Sequence, residues 1–83
     1  MYSKRFLLEI RISHHAKTRM AERKITEEII LDLVETGNTN YKDDKRLWIY
    51  KAYTDRDDNL LCIAVVLESI LVIKTVMHHF ELE

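Results

Sequence analysis

The chain has 83 residues with one Gly, no Pro and one Cys; 47% of it is apolar, 33% is charged, and the formal net charge is −1. A chain of this size buries only about 60% of the surface it would expose unfolded, which argues against a two-domain enzyme with an enclosed cleft and for a site that is shallow or shared. The longest apolar stretch, Leu60 to Leu67, is far short of the roughly 20 residues of a membrane span. No signal-peptide pattern opens the chain and a single Cys allows no internal disulfide, so the expected setting is the cytoplasm, away from membranes.

Phe6, Leu8, Ile10 and Ile12 alternate with Leu7, Glu9 and Arg11, the period of two of a strand with one buried face. Ser13 offers a helix N-cap, and His14 to Lys24 are good helix formers with Ala16, Met20 and Ala21 as apolar contacts. This predicted helix is short and thinly apolar, so packing must hold it. Ile25-Thr26-Glu27-Glu28 reads as a second helix start, with Thr26 as cap, two acids in the positive end of the dipole, and Ile25 stapled onto Ile30. Ile29, Ile30, Leu33 and Val34 recur at helical spacing, and Gly37 takes the left-handed position that ends the helix. A helical hairpin over 14–24 and 27–36 follows, and Asn38 to Arg46 reads as a polar loop or frayed strand end.

Three strands are expected next: Leu47 to Tyr53, Leu60 to Leu67 and Ile70 to Met77. An acidic turn at Asp55 to Asn59 and a tight one at Glu68-Ser69 pair them antiparallel. The predicted order is β-α-α-β-β-β, an α+β fold with a helical hairpin packed on an antiparallel sheet. Leu60 to Leu67 has no polar face and suits a central strand, with Cys62 as a small core residue. Residues 1–81 read as one domain and Leu82-Glu83 as the remnant of a purification tag.

Charge is unevenly spread. Residues 1–24 carry seven cationic against two acidic groups, residues 25–83 six against twelve, so the parts are +5 and −6. Either the first part offers a surface to an anion such as nucleic acid, or the two parts neutralise each other across the fold.

The run His15-Ala16-Lys17-Thr18-Arg19-Met20-Ala21-Glu22-Arg23-Lys24-Ile25-Thr26-Glu27-Glu28-Ile29, followed by Gly37 and then Ile73-Lys74-Thr75-Val76, resembles domain-of-unknown-function family 4258, short bacterial and archaeal domains. That family is generally placed near the RelE-like and BrnT-like toxins. The resemblance implies a RelE/BrnT-like fold and a metal-independent endoribonuclease acting on messenger RNA, held inactive by an antitoxin protein. The −6 over residues 25–83 departs from the basic character of that group.

His15, Arg19 and Arg23 recur every four residues, which lays them along one ridge of a helix. A ridge of this kind holds a phosphate: Arg forks two oxygens, and His moves the protons that metal-free RNA cleavage requires. The plainer reading has the arginines paired with Glu22 or with acids of the second helix. Adjacent helix residues point roughly 100° apart, so one of His14 and His15 is expected to face solvent. His78, or its neighbour His79, is a further candidate proton carrier, near the first helix if the terminal strands are neighbours. With no ligand spacing to support zinc, no metal and no cofactor are expected. Lys17, Trp48 and Tyr50 are the candidate RNA contacts, Trp48 and Tyr50 on the strand face opposite Leu47 and Ile49. The same aromatics suit a non-catalytic protein-binding surface, for an antitoxin-like partner or a second copy.

Overall fold

Both helices start where a hydroxyl captures an unpaired backbone N–H. Ser13 Oγ accepts from Ala16 N at 3.1 Å and opens α1 (His14–Arg23); Thr26 Oγ1 accepts from Ile29 N at 3.2 Å and opens α2 (Glu27–Thr36). They end differently from one another. Lys24, at φ 55°, is the left-handed residue that closes α1, whereas Gly37 is extended at φ −71°. The expectation of a left-handed Gly37 is therefore corrected: glycine is needed there for space. A Cβ on Gly37 would come within 2.5 Å of the Leu33 carbonyl oxygen and 2.7 Å of Ile49 Cγ2.

The structure, a computed structural model, describes residues 1–53 and 60–78, with His78 described in its backbone alone. The predicted turn at Asp55 to Asn59, His79 and Leu82-Glu83 lie outside the described residues. The strands are β1 (Tyr2–Ser3), β2 (Leu8–Ile12), β3 (Asn38–Tyr41), β4 (Arg46–Ala52), β5 (Leu60–Leu67) and β6 (Leu71–His78), joined in the order β1-β2-β6-β5-β4-β3. The α+β architecture with a helical hairpin on a sheet holds, with two refinements. The sheet is mixed, because β2 runs parallel to β6 while the other pairs are antiparallel. Residues 38–41, read as part of a polar loop or frayed strand end, form a polar edge strand whose backbone pairs with β4; its side chains are half-buried at most, so periodicity carried no signal there.

The first predicted strand starts later than its alternation suggested. Phe6 and Leu7 lie in a turn, Leu7 at φ 58°, and Glu35 of α2 anchors that turn by accepting from Lys4 N at 2.7 Å, Arg5 N at 2.9 Å and the buried Ser3 hydroxyl at 3.2 Å. Arg5 in turn donates to the carbonyls of Val34 and Gly37 at the negative end of α2.

The core lies between the helices and one face of the sheet. Ile30, Leu33 and Val34 of α2 and Ala16 and Met20 of α1 meet Ile10, Ile12, Leu47, Ile49, Leu61, Ile63, Val65, Leu71, Ile73 and Val76. Each such aliphatic side chain contributes about 1.5–3 kcal/mol of burial. Ile25 and Ile30 are both buried, as the staple reading requires. β5 has neighbours on both sides, as its unbroken apolar run predicts. Alternation leaves Trp48, Tyr50, Ala64, Val66, Thr75 and Met77 on the face turned away from the helices.

Candidate nucleic-acid interface

Where β2 ends, the chain turns directly into α1, so the helix lies against β6. Ile12 pairs with Ile73, Ser13 N donates to the Ile73 carbonyl at 3.0 Å, and the Ser13 hydroxyl donates to the Lys74 carbonyl at 3.0 Å. Arg19 and Arg23, one helical turn apart, thereby face Thr75, Val76 and Met77 across a groove of about 300 Å³. Among the described residues no acidic side chain lines it. Arg19 Nη1 is 3.6 Å from Glu22 Oε2, and both side chains are roughly half exposed (41% and 53%); such a pair is worth about 0–1 kcal/mol and leaves other guanidinium donors for an anion.

His15 stands one turn earlier on the same ridge and is exposed, as is His14, so both histidines face solvent rather than one. Lys17 points elsewhere. It borders a separate groove of about 200 Å³ with Met1, Arg11 and Glu27, roughly 200° around the helix from Arg19. The terminal strands are neighbours as supposed, but the start of α1 meets β6 at Ile73 and Lys74, five residues before His78. At about 3.3 Å per residue that is roughly 16 Å of strand. His78 instead follows Met77 directly, beside the Arg19/Arg23 groove.

A second groove, of about 250 Å³, opens on the sheet face away from the helices. Trp48, Ala64 and Val66 supply its apolar surface and Lys42, Arg46 and Lys74 its cationic border. Leu47 and Ile49 are buried while Trp48 and Tyr50 are half-buried, the orientation expected from alternation. Lys74 went unrecognised in the sequence. It occupies the irregular step of β6, where Ala64 pairs with Thr75 but Val65 already pairs with Ile73, which leaves Lys74 as the extra residue of a bulge. The one available signal was a lone cation inside an apolar strand; the bulge that aims it has no pattern in sequence.

The acids take other positions. Asp43 accepts from the N–H groups of Lys45 and Arg46 and from Arg46 Nε, and these bonds, the Arg46 side chain first, pull its carboxyl down to about 2. Arg46 is thus partly neutralised at the groove border, whereas Lys42 and Lys74 are exposed. Asp32 of α2 receives Lys51 Nζ at 2.8 Å and Tyr53 Oη at 2.6 Å, and the Lys51 bond, then the Tyr53 bond, holds its carboxyl below the usual range. The ion pairs Arg19–Glu22, Arg46–Asp43 and Lys51–Asp32 each join groups from the same part of the chain.

Cys62 is fully buried, and burial pushes its thiol up to about 12, which makes it inert packing rather than a nucleophile. Among the described residues no three His, Cys, Asp or Glu side chains converge as metal ligands, and no helix is long and apolar enough to cross a membrane.

Comparison with known proteins adds a family and no chemistry. No curated protein and no solved structure matches the chain. The family model described as Domain of unknown function (DUF4258) matches residues 12–78, from the end of β2 through β6, and so spans both helices, the Arg19/Arg23 groove and the Trp48 groove. On that match the chain belongs to this family.

Proposed function

We propose that this domain binds single-stranded RNA along α1 and the open sheet face, and cuts messenger RNA without a metal in the manner of a RelE/BrnT-like toxin controlled by an antitoxin protein. The observation that carries the reading is the Arg19/Arg23 groove, in which two guanidinium groups stand across from Thr75, Val76 and Met77, while Asp32 and Glu35 of α2 are hydrogen-bonded to other parts of the fold. A phosphate diester in that groove takes two forked contacts, and the same groups stabilise the charge that builds on its oxygens in the transition state.

In such a reaction the 2′-hydroxyl oxygen attacks the adjacent phosphorus and gives its proton to a base. The 5′-oxygen leaves with a proton from an acid, and a 2′,3′-cyclic phosphate remains. His15 and His78 are the residues assigned to these transfers, one on the arginine ridge and the other next along β6 from Met77. Lys17 is left as a contact to backbone phosphates outside the groove, and Trp48 and Tyr50 as contacts to bases. The reading treats residues 1–81 as one cytoplasmic domain.

The test is the double variant Arg19→Ala/Arg23→Ala, checked for folding by circular dichroism. It is expected to lose growth arrest and RNA cutting together; a folded double variant with unaltered cutting sinks the proposal. A second reading, a non-catalytic protein-binding module, is favoured by the largely apolar surface of the Trp48 groove. It predicts that the intact protein cuts no RNA and that Trp48→Ala abolishes association with the partner or a second copy.

A further inference from the structure

The two grooves on the β6 side are neighbours. Thr75, a wall of the Arg19/Arg23 groove, is the direct register partner of Ala64, which lies in the Trp48 groove. Residues directly opposed in an antiparallel pair are about 4.5–5.5 Å apart and project to the same side. The two grooves therefore adjoin across the β5–β6 pair, and the bulged Lys74, next to Thr75 in the chain, borders the Trp48 groove.

The Trp48 groove has the composition of a site for a flat, partly apolar group attached to anions. Its interior is an indole and two small aliphatic side chains, its border is cationic, and among the described residues no carboxylate lines it. At about 250 Å³ it is below the roughly 300–1,000 Å³ of a drug-sized ligand pocket, which leaves room for one small planar unit rather than a dinucleotide cofactor. A base stacks on an aromatic side chain whatever its identity, because every base has a π-face. Lys42 and Lys74 are point charges suited to diester phosphates on either side of such a base. A peptide side chain also fits the indole, but it brings anions for the two lysines only where acidic residues happen to flank it, whereas every base of an RNA strand is flanked by phosphates.

Resting on the RNA reading, we infer that the Trp48 groove is its nucleobase subsite: one unpaired base lies against Trp48, its flanking phosphates meet Lys42 and Lys74, and the strand continues over Thr75 to Arg19 and Arg23. Selectivity at this position comes from stacking, because the cationic side chains that line the groove, Lys42, Arg46 and Lys74, stand at its border and its interior is apolar.

Trp48 is the only tryptophan of the chain, so its emission reports on this groove alone. The experiment titrates the full chain and its Lys74→Gln variant with a single-stranded hexanucleotide RNA at low salt, following Trp48 fluorescence and, in parallel, the amide resonances of α1. The expected result is saturable quenching, at least a threefold weaker affinity in Lys74→Gln, and a smaller salt dependence in the variant, since one phosphate contact is lost. Shifts in α1 with unaltered Trp48 emission, or equal affinity in Lys74→Gln, overturn the subsite and leave RNA binding in place. No response of either probe overturns the RNA reading and the subsite together.

Discussion

The two helices are equal in length and opposite in use of charge. α2 buries Ile30, Leu33 and Val34, and two of its four acids are tied to other parts of the fold: Asp32 to Lys51 and Tyr53, Glu35 to the turn that precedes β2. α1 buries only Ala16 and Met20 and turns most of its charged groups outward, with Arg19 and Arg23 lining a groove. The lesson is that a net charge of −1 says little about the field at the surface. Carboxylates such as Glu35 and Asp32, bonded to backbone N–H groups and to Lys51, act as structure, whereas Arg19 and Arg23 line a surface groove.

Breaking α2 should therefore cost stability, and breaking α1 should cost binding. Ile30→Ala is expected to lose about 2–5 kcal/mol, from lost burial and the cavity left behind, read as a lower urea midpoint with unchanged slope. Gly37→Ala comes next, at about 1–3 kcal/mol, because the new methyl must displace a backbone carbonyl and Ile49; a midpoint equal to wild type would mean the α2 end can relax. Glu35→Ala should cost about 1–2 kcal/mol by leaving Lys4 N, Arg5 N and Ser3 Oγ without their shared acceptor, with faster amide exchange confined to residues 3–6.

Asp32→Asn sharpens the comparison through pH. The folded carboxyl titrates below its ordinary value of 3.8, so its contribution is present above that pH and is lost as pH falls through the lower, folded value. The side chain is 44% exposed, so screening keeps this under about 1 kcal/mol. Wild type should exceed Asp32→Asn in stability at pH 6, with an advantage that shrinks progressively as pH falls below 3.8, measured by urea midpoints. Arg19→Ala is the smallest change in stability, within about 0.5 kcal/mol, and is expected to weaken RNA binding all the same.

The sequence carried most of the fold because its signals are local. Ser13 and Thr26 cap as hydroxyls do, Leu47 and Ile49 alternate with Trp48 and Tyr50, and the apolar run 60–67 sits between two strands. What it hid depends on distant partners. Asn38 to Tyr41 form a strand only because β4 offers an edge, Gly37 is required by Ile49 rather than by its own dihedral angles, and Phe6 and Leu7 turn because Glu35 holds the backbone before them. The site was legible in the same measure. Helical spacing put Arg19 and Arg23 on one ridge, but it did not show that Lys17 faces another groove, that β2–β6 register carries His78 away from the start of α1, or that a bulge brings Lys74 beside Trp48.

The most direct test of the central claim, that α1 carries an anion site for RNA, is a titration of the isotope-labelled chain with short single-stranded RNA, followed by amide shifts at low and moderate salt, with the RNA then checked for cuts. The account predicts salt-sensitive shifts centred on Arg19, Arg23 and Thr75 to Met77, little change in α2, and cleaved RNA. Shifts confined to α2, or none at low salt, would contradict it.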